Sequence, residues 1–197
     1  MDIGIAERPK AGSFLSGDAH LSLEGGERVV LALADGLGSG EKAARSARLA
    51  VQGVAEYPHA ELNDILAYAH YLILAAGGVG AMMVVLRLDQ VNRILEFAGV
   101  GNIRFLAHSQ RTIQPFARYG YLGVRLPTLY VFRFPYDPGD AFVMHTDGIS
   151  SRFHLHDHLA DLEQGTQHLA ERILAEYGKE HDDATVIVAK TGALRGG

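Results

Sequence analysis

Apolar positions along the chain follow two rhythms. Short runs, alternating or unbroken, predict strands over Asp2–Glu7, Ala19–Leu23, Arg28–Ala34, Ala81–Asp89, Arg93–Val100, Ile103–His108, Leu129–Phe134, Ala141–His145 and Ala184–Ala189. Apolar residues three and four apart predict helices from Ser39 or Gly40 to about Tyr57, where Pro58 stops the first, and from about Ala60 to Ala76. Two shorter helices are expected near His156–Gln164 and Thr166–Tyr177. Glu24-Gly25-Gly26-Glu27 is a hairpin signal, and Asp89–Asn92 and Pro135–Asp140 read as turns. Pro9–Gly17 and Arg111–Thr128 are irregular.

Strands in hairpin order with helices inserted in pairs predict an α+β layered sandwich, since a doubly wound sheet would alternate strand and helix more strictly. With 197 residues and neither repeat nor linker, one domain over 1–197 is expected. Ile65–Leu86 contains no Asp, Glu, Lys or Arg and is long enough to span a bilayer. Gly77, Gly78 and Gly80 interrupt it, however, and helix, glycine turn and buried strand is the better account, so no membrane association is expected.

Composition narrows the chemistry. A net charge of −5 leaves no footprint for nucleic acid. Cysteine is absent, which excludes disulfides, thiolate metal sites and cysteine nucleophiles. That absence fits a reducing compartment, and the first residues lack the pattern of a signal peptide, so a cytoplasmic location is expected.

Four short motifs place Asp at a strand end or in a loop: Ser16-Gly17-Asp18-Ala19, Asp35-Gly36-Leu37-Gly38-Ser39-Gly40, His145-Thr146-Asp147-Gly148-Ile149 and His181-Asp182-Asp183-Ala184-Thr185. Carboxylates at adjoining strand ends converge on one place, where they repel one another unless cations compensate. Oxygen donors favour hard cations, and paired ions suit hydrolysis of phosphate esters. Asp-Gly is also a common turn dipeptide, so a single motif would carry little.

Rival readings fit less well. The glycine loop after Asp35 misses both the dinucleotide and the P-loop patterns. His154, His156 and His158 alternate and read as a solvated surface cluster, while His145 should pack beside the site. No G-x-S-x-G elbow is present. Tyr119–Tyr121 and Tyr130–Tyr136 read as core and turn packing, with the irregular Arg111–Thr128 stretch as a possible docking place.

Asp35–Gly40, Thr146–Ile149 and Asp182-Asp183-Ala184-Thr185-Val186 resemble the three signature blocks of metal-dependent serine/threonine phosphatases, the PPM or type 2C family, in order and spacing over about Ala19–Ala189. The small size and the form of the glycine loop are most similar to the stressosome feedback phosphatases of that family. The resemblance implies a four-layer αββα sandwich of two antiparallel sheets flanked by helices, with two Mn²⁺ or Mg²⁺ ions at one end. Asp35 would bridge both ions and the Gly36 carbonyl would bind one. Asp147 and Asp182 would complete the second ion's ligands, Asp18 would act on the first through water, and Asp183 would stand behind the ligands or hold a third ion. Asp35, Asp147 and Asp182 would thus be catalytic through a metal-bridging hydroxide. Phosphorylated STAS-domain stressosome proteins would be the partners and substrates.

Two positions depart from the family. Leu37 stands where eukaryotic relatives place a histidine acid. The phosphate-gripping arginine has no clear counterpart, because Arg8, the only arginine before Arg28, lies ten residues ahead of Asp18. A weakly catalytic binding module for the same partners, or a small-molecule phosphohydrolase, would share these features.

Overall fold

The computed structural model describes residues 1–192; residues 193–197, part of the span expected as one domain, lie outside the described residues. Nine strands form two antiparallel sheets. The first contains β1 (Asp2–Arg8), β6 (Arg104–His108), β8 (Ala141–His145) and β9 (Ala184–Lys190), in the order β1-β9-β8-β6. The second contains β2 (Asp18–Gly25), β3 (Arg28–Gly36), β4 (Ala81–Asp89), β5 (Ile94–Val100) and β7 (Phe132–Pro135), in the order β2-β3-β4-β5-β7. Helices α1 (Glu41–Glu56) and α2 (Leu62–Ala75) cover the five-stranded sheet. A 3₁₀ turn (Leu155–His158), α3 (Leu159–Glu163) and α4 (Thr166–Tyr177) cover the four-stranded sheet.

The two-residue side-chain period of β3 sorts its residues between two cores. Val30, Ala32 and Ala34 pack against α1 and α2, whereas Val29, Leu31 and Leu33 face the other sheet. β4 does the same, with Met83 and Val85 toward the helices and Val84, Leu86 and Leu88 between the sheets. Both strands are therefore buried on two faces, which is why they read as continuous apolar runs. Across the sandwich, Phe142 and Met144 of β8 and Ile187 of β9 complete the inter-sheet core.

Helix α1 buries a stripe of small residues, including Ala43, Ala47 and Ala50, which lets α2 lie close. A Cβ placed on Gly53 would sit 3.0 Å from Ala69 Cβ and 3.1 Å from its Cα. Helix α2 ends at Ala76, followed by Gly77 at φ 63°, a left-handed stop that glycine accepts freely. The glycine interruption in the long uncharged stretch is thus a helix end leading into β4. Among the described residues no helix is long and apolar enough to cross a membrane.

Two elements differ from expectation. β7 starts at Phe132 rather than Leu129, because β5 offers it only Ile94–Phe97. Farther along that edge Arg118 takes over, its N–H donating to the Gly99 carbonyl and its carbonyl accepting from the Gly101 N–H. The helix expected over His156–Gln164 is split into the 3₁₀ turn and α3. His158 leaves helical geometry at φ −119°, with its buried ring bonded to Asp161 through Nδ1 and to the Tyr177 hydroxyl through Nε2. The expected surface histidine cluster therefore holds for the exposed His154 and His156 only. Tyr136 is core, as expected, but Tyr119 is 85% exposed and Tyr130 is 50% exposed.

Gly53→Val should force α1 and α2 apart at Ala69. A destabilisation of about 1–3 kcal/mol, the usual cost of overpacking, is expected in urea unfolding.

Candidate active site

The site assembles where both sheets end. Asp18 opens β2 and pairs in register with Asp35 near the end of β3, so both carboxylates leave the same face of the sheet. That face is the inner one, continuing the row of Leu31 and Leu33. Asp147 follows β8, and Asp182 and Asp183 precede β9. The four motifs thus come together from both sheets, and the charges of Asp18, Asp147, Asp182 and Asp183 all act on Asp35.

Buried Asp18 joins the two sheets. Its Oδ2 accepts hydrogen bonds from Thr146 Oγ1 at 2.9 Å and Thr185 Oγ1 at 2.8 Å. The Thr185 N–H donates in turn to Thr146 Oγ1 at 3.1 Å. Asp183 clamps the Pro9–Gly17 loop: Oδ1 accepts from the Lys10 N–H at 2.9 Å and Oδ2 from the Gly17 N–H at 2.8 Å. Asp147 is exposed, and its Oδ2 accepts from Asn102 Nδ2 at 3.0 Å. Asp182 Oδ1 accepts from the Asp183 N–H at 3.0 Å.

The glycines after Asp35 and Asp147 have a packing role that the turn reading did not anticipate. A Cβ on Gly36 would lie 2.0 Å from the Ala43 carbonyl oxygen of α1, and one on Gly148 would lie 1.9 Å from the Asp183 carbonyl oxygen. Neither glycine has a positive φ. Each is small because another backbone crosses there, and the crossing holds the preceding Asp against the next part of the site.

Burial pushes the Asp35 carboxyl up to about 8, and the four neighbouring carboxylates push in the same direction. Burial raises Asp18 to about 7 despite its two threonine donors, with Asp183 and Asp147 adding to the rise. Negative charge in this cluster is therefore incompletely compensated by protein groups. Leu37, at the departing position, packs against the inter-sheet core and offers no proton. Buried His145 lies beside the site: its Nδ1 donates to the Thr146 carbonyl at 2.9 Å, and burial holds the imidazole below its usual range.

The donor set suits a hard cation. It consists of oxygens only, and the rise of Asp18 and Asp35, caused first by burial and then by neighbouring carboxylates, is one that a divalent ion would oppose. Among the described residues, no three His, Asp or Glu side chains are already drawn in as a cage. An ion here would keep several water ligands, as Mg²⁺ commonly does.

Arg8 turns toward the α4 side of the first sheet. On β1, Gly4 and Ala6 face the α4 layer and Arg8 follows that alternation, with Nη2 3.0 Å from where a Gly178 Cβ would stand. Sequence reasoning passed over Thr146 and Thr185 as holders of Asp18, Asn102 as a partner of Asp147, and Lys179, whose Nζ donates to the Asp147 carbonyl. Only the threonines stood inside the quoted motifs.

Layers and strand order define a sandwich of two antiparallel sheets flanked by helices, and comparisons with known proteins show its family. Residues 25–192 match the family Stage II sporulation protein E (SpoIIE), and the chain belongs to it. The phosphoserine phosphatase RsbX of Bacillus subtilis (strain 168) is 27% identical over 143 residues, covering 72% of this chain and 71% of the relative. A crystal structure of RsbX in complex with magnesium superposes with a TM-score of 0.84 at 25% identity, over 93% of this chain and 92% of that one. A structure described as "The bacterial stressosome: a modular system that has been adapted to control secondary messenger signaling" reaches a TM-score of 0.91 at 32% identity, over 96% and 98%. The serine/threonine phosphatase PstP/Ppp of Mycobacterium tuberculosis shares the fold at 16% identity, with a TM-score of 0.79 over 96% and 98%. The protein is a serine/threonine phosphatase of the PPM type.

The raised carboxyls give a signed expectation. A carboxyl whose pKa is higher in the folded chain stabilises the fold at low pH and loses that contribution as pH rises through the folded value. In EDTA, the melting temperature should therefore fall from about pH 5 and level off above about pH 8, most steeply below about pH 7, where the unfolded carboxyls are already ionised while folded Asp18 and Asp35 still hold their protons. Saturating Mg²⁺ should flatten that fall, because the ion binds the ionised carboxylates. Scanning calorimetry with and without the ion checks both statements.

Proposed function

We propose that this phosphatase is metal-dependent and cytoplasmic, and removes phosphate from phosphoserine or phosphothreonine on stressosome-type regulatory proteins bearing a STAS domain. The observation that carries the reading is the gathering of Asp18, Asp35, Asp147, Asp182 and Asp183 at the end of both sheets, with Asp35 feeling the other four. Likeness to RsbX, a phosphoserine phosphatase with a magnesium-bound structure, supports the substrate type and the ion. Likeness to the stressosome structure supports the partners.

In this reading Asp35, the Gly36 carbonyl, Asp147 and Asp182 would hold two Mg²⁺ or Mn²⁺ ions, with Asp35 serving both. Asp18 would act through water while bracing the sheets, and Asp183 would support the ligands by fixing the Lys10 and Gly17 amides. When bound, such ions acidify water and neutralise phosphoryl oxygens, which in-line hydrolysis of a phosphate monoester requires. The chain's own contribution is position. Asn102 and Lys179 fix the two ends of Asp147, its carboxylate and its carbonyl, and the threonines fix Asp18.

Phosphate release from phosphorylated STAS-domain proteins, measured with Mn²⁺, Mg²⁺ and EDTA, tests the reading. EDTA should abolish turnover while leaving the far-ultraviolet circular dichroism largely intact, because the three apolar clusters form without ions. Unfolding to a coil on chelation would contradict that expectation.

Substitutions should show graded damage in initial rates titrated against Mn²⁺. Asp35→Asn should be worst, because it weakens both ion sites. Asp147→Asn and Asp182→Asn should follow, with losses of roughly 10²-fold or more. Asp18→Asn should be mildest and partly rescued by added Mn²⁺. Near-normal activity of Asp35→Asn at an unchanged Mn²⁺ requirement would refute the two-ion arrangement.

A further inference from the structure

Beside the carboxylates lies an open cleft of about 540 Å³, walled by the β5–β6 connection, the segment around Phe116 and the loop after β8, with Asp147 among its lining residues. Aromatic rings of Phe97, Phe105 and Phe116 give it an apolar side. Two cations line it, Arg104 and Lys179. The bond from Lys179 Nζ to the Asp147 carbonyl fixes the ammonium where the cleft meets the acidic cluster. An ammonium has three donors, so this bond leaves donors for a ligand. Arg104 opens β6 opposite His145 and is exposed. Both positive charges act on His145, so they share one neighbourhood. Among the described residues neither cation forms an ion pair.

A phosphate ester approaching this end meets an acidic cluster, so it needs cations close beside the carboxylates. Arg104 and Lys179 are the side-chain cations on the cleft wall where Asp147 stands. Guanidinium and ammonium groups form strong charge-assisted hydrogen bonds to phosphate oxygens. We propose that Arg104 and Lys179 are the phosphate grip of this enzyme, holding the phosphate oxygens of a phosphoserine or phosphothreonine segment whose neighbouring apolar side chains lie against Phe105 and Phe116. The inference rests on the phosphatase reading above and names the residues that receive its substrate.

Calorimetric binding of inorganic phosphate to the Mg²⁺-loaded protein tests it, alongside KM and kcat for a phosphoserine peptide. Loss of one charge-assisted hydrogen bond weakens binding by roughly tenfold or more. Arg104→Ala and Lys179→Ala should each raise the phosphate Kd and the peptide KM by about that factor, with a smaller effect on kcat. Arg104→Lys and Lys179→Arg should recover most of the loss. Mg²⁺ affinity should stay at the wild-type value in Arg104→Ala, whose side chain holds no part of the ion site. If both alanine variants bind phosphate as wild type does, the grip is refuted. If Lys179→Ala changes Mg²⁺ affinity alone, Lys179 only positions the Asp147 loop and the proposal fails for it. Wild-type protein that hydrolyses no phosphoserine substrate with either ion would overturn the phosphatase reading itself, whereas active wild type with unchanged KM in both variants would overturn the grip alone.

Discussion

Two threonine hydroxyls from one sheet donate to a single carboxylate oxygen of the other, and the site depends on that junction. Thr146 and Thr185 belong to the four-stranded side and Asp18 to the five-stranded side. The apolar layer between the sheets, built from residues such as Leu31, Leu33, Phe142 and Ile187, resists separation but is non-directional. The hydrogen bonds add direction: they fix how the end of β3 lies over the starts of β9 and of the loop after β8. Asp18 and Asp35 are consequently buried together where the charges of Asp147, Asp182 and Asp183 also act on Asp35. Burial and repulsion of this kind would be a defect in an inert domain, and such groups cluster at functional sites.

Much of this order could be read from the chain before any coordinates. β3 and β4 were legible because burial on both faces leaves an unbroken apolar run, and the glycine group at 77–80 marked the passage from helix to strand. Legibility failed where long-range contacts decide. Leu129–Val131 has strand-like composition, yet Arg118, from a distant segment, occupies the β5 edge it would need. His158 has helix-compatible neighbours, yet bonds to Asp161 and Tyr177 draw it out of register.

The same division applies to the site. The Asp-bearing motifs are visible because short-range sequence sets them at strand ends. Their partners are less visible. Asn102 lies 45 positions from Asp147 and Lys179 lies 32 positions from it, and no local pattern links such residues. Gly36 and Gly148 were legible as glycines but not for their reason, since the contacts that exclude a Cβ come from Ala43 and Asp183.

The pairing of β1 with β9 has a further consequence. Asp2 stands opposite Lys190, while Arg8 stands opposite Ala184, next to the acidic cluster. At about 3.3 Å per residue, those seven-residue strands put roughly 20 Å between the cluster and the level at which β1 begins and β9 finishes. The start of β1 and the end of β9 therefore share one edge, remote from the acidic cluster. A laboratory tag or a tether that pulls at that edge would load the β1–β9 ladder while leaving the strand-end carboxylates uncovered.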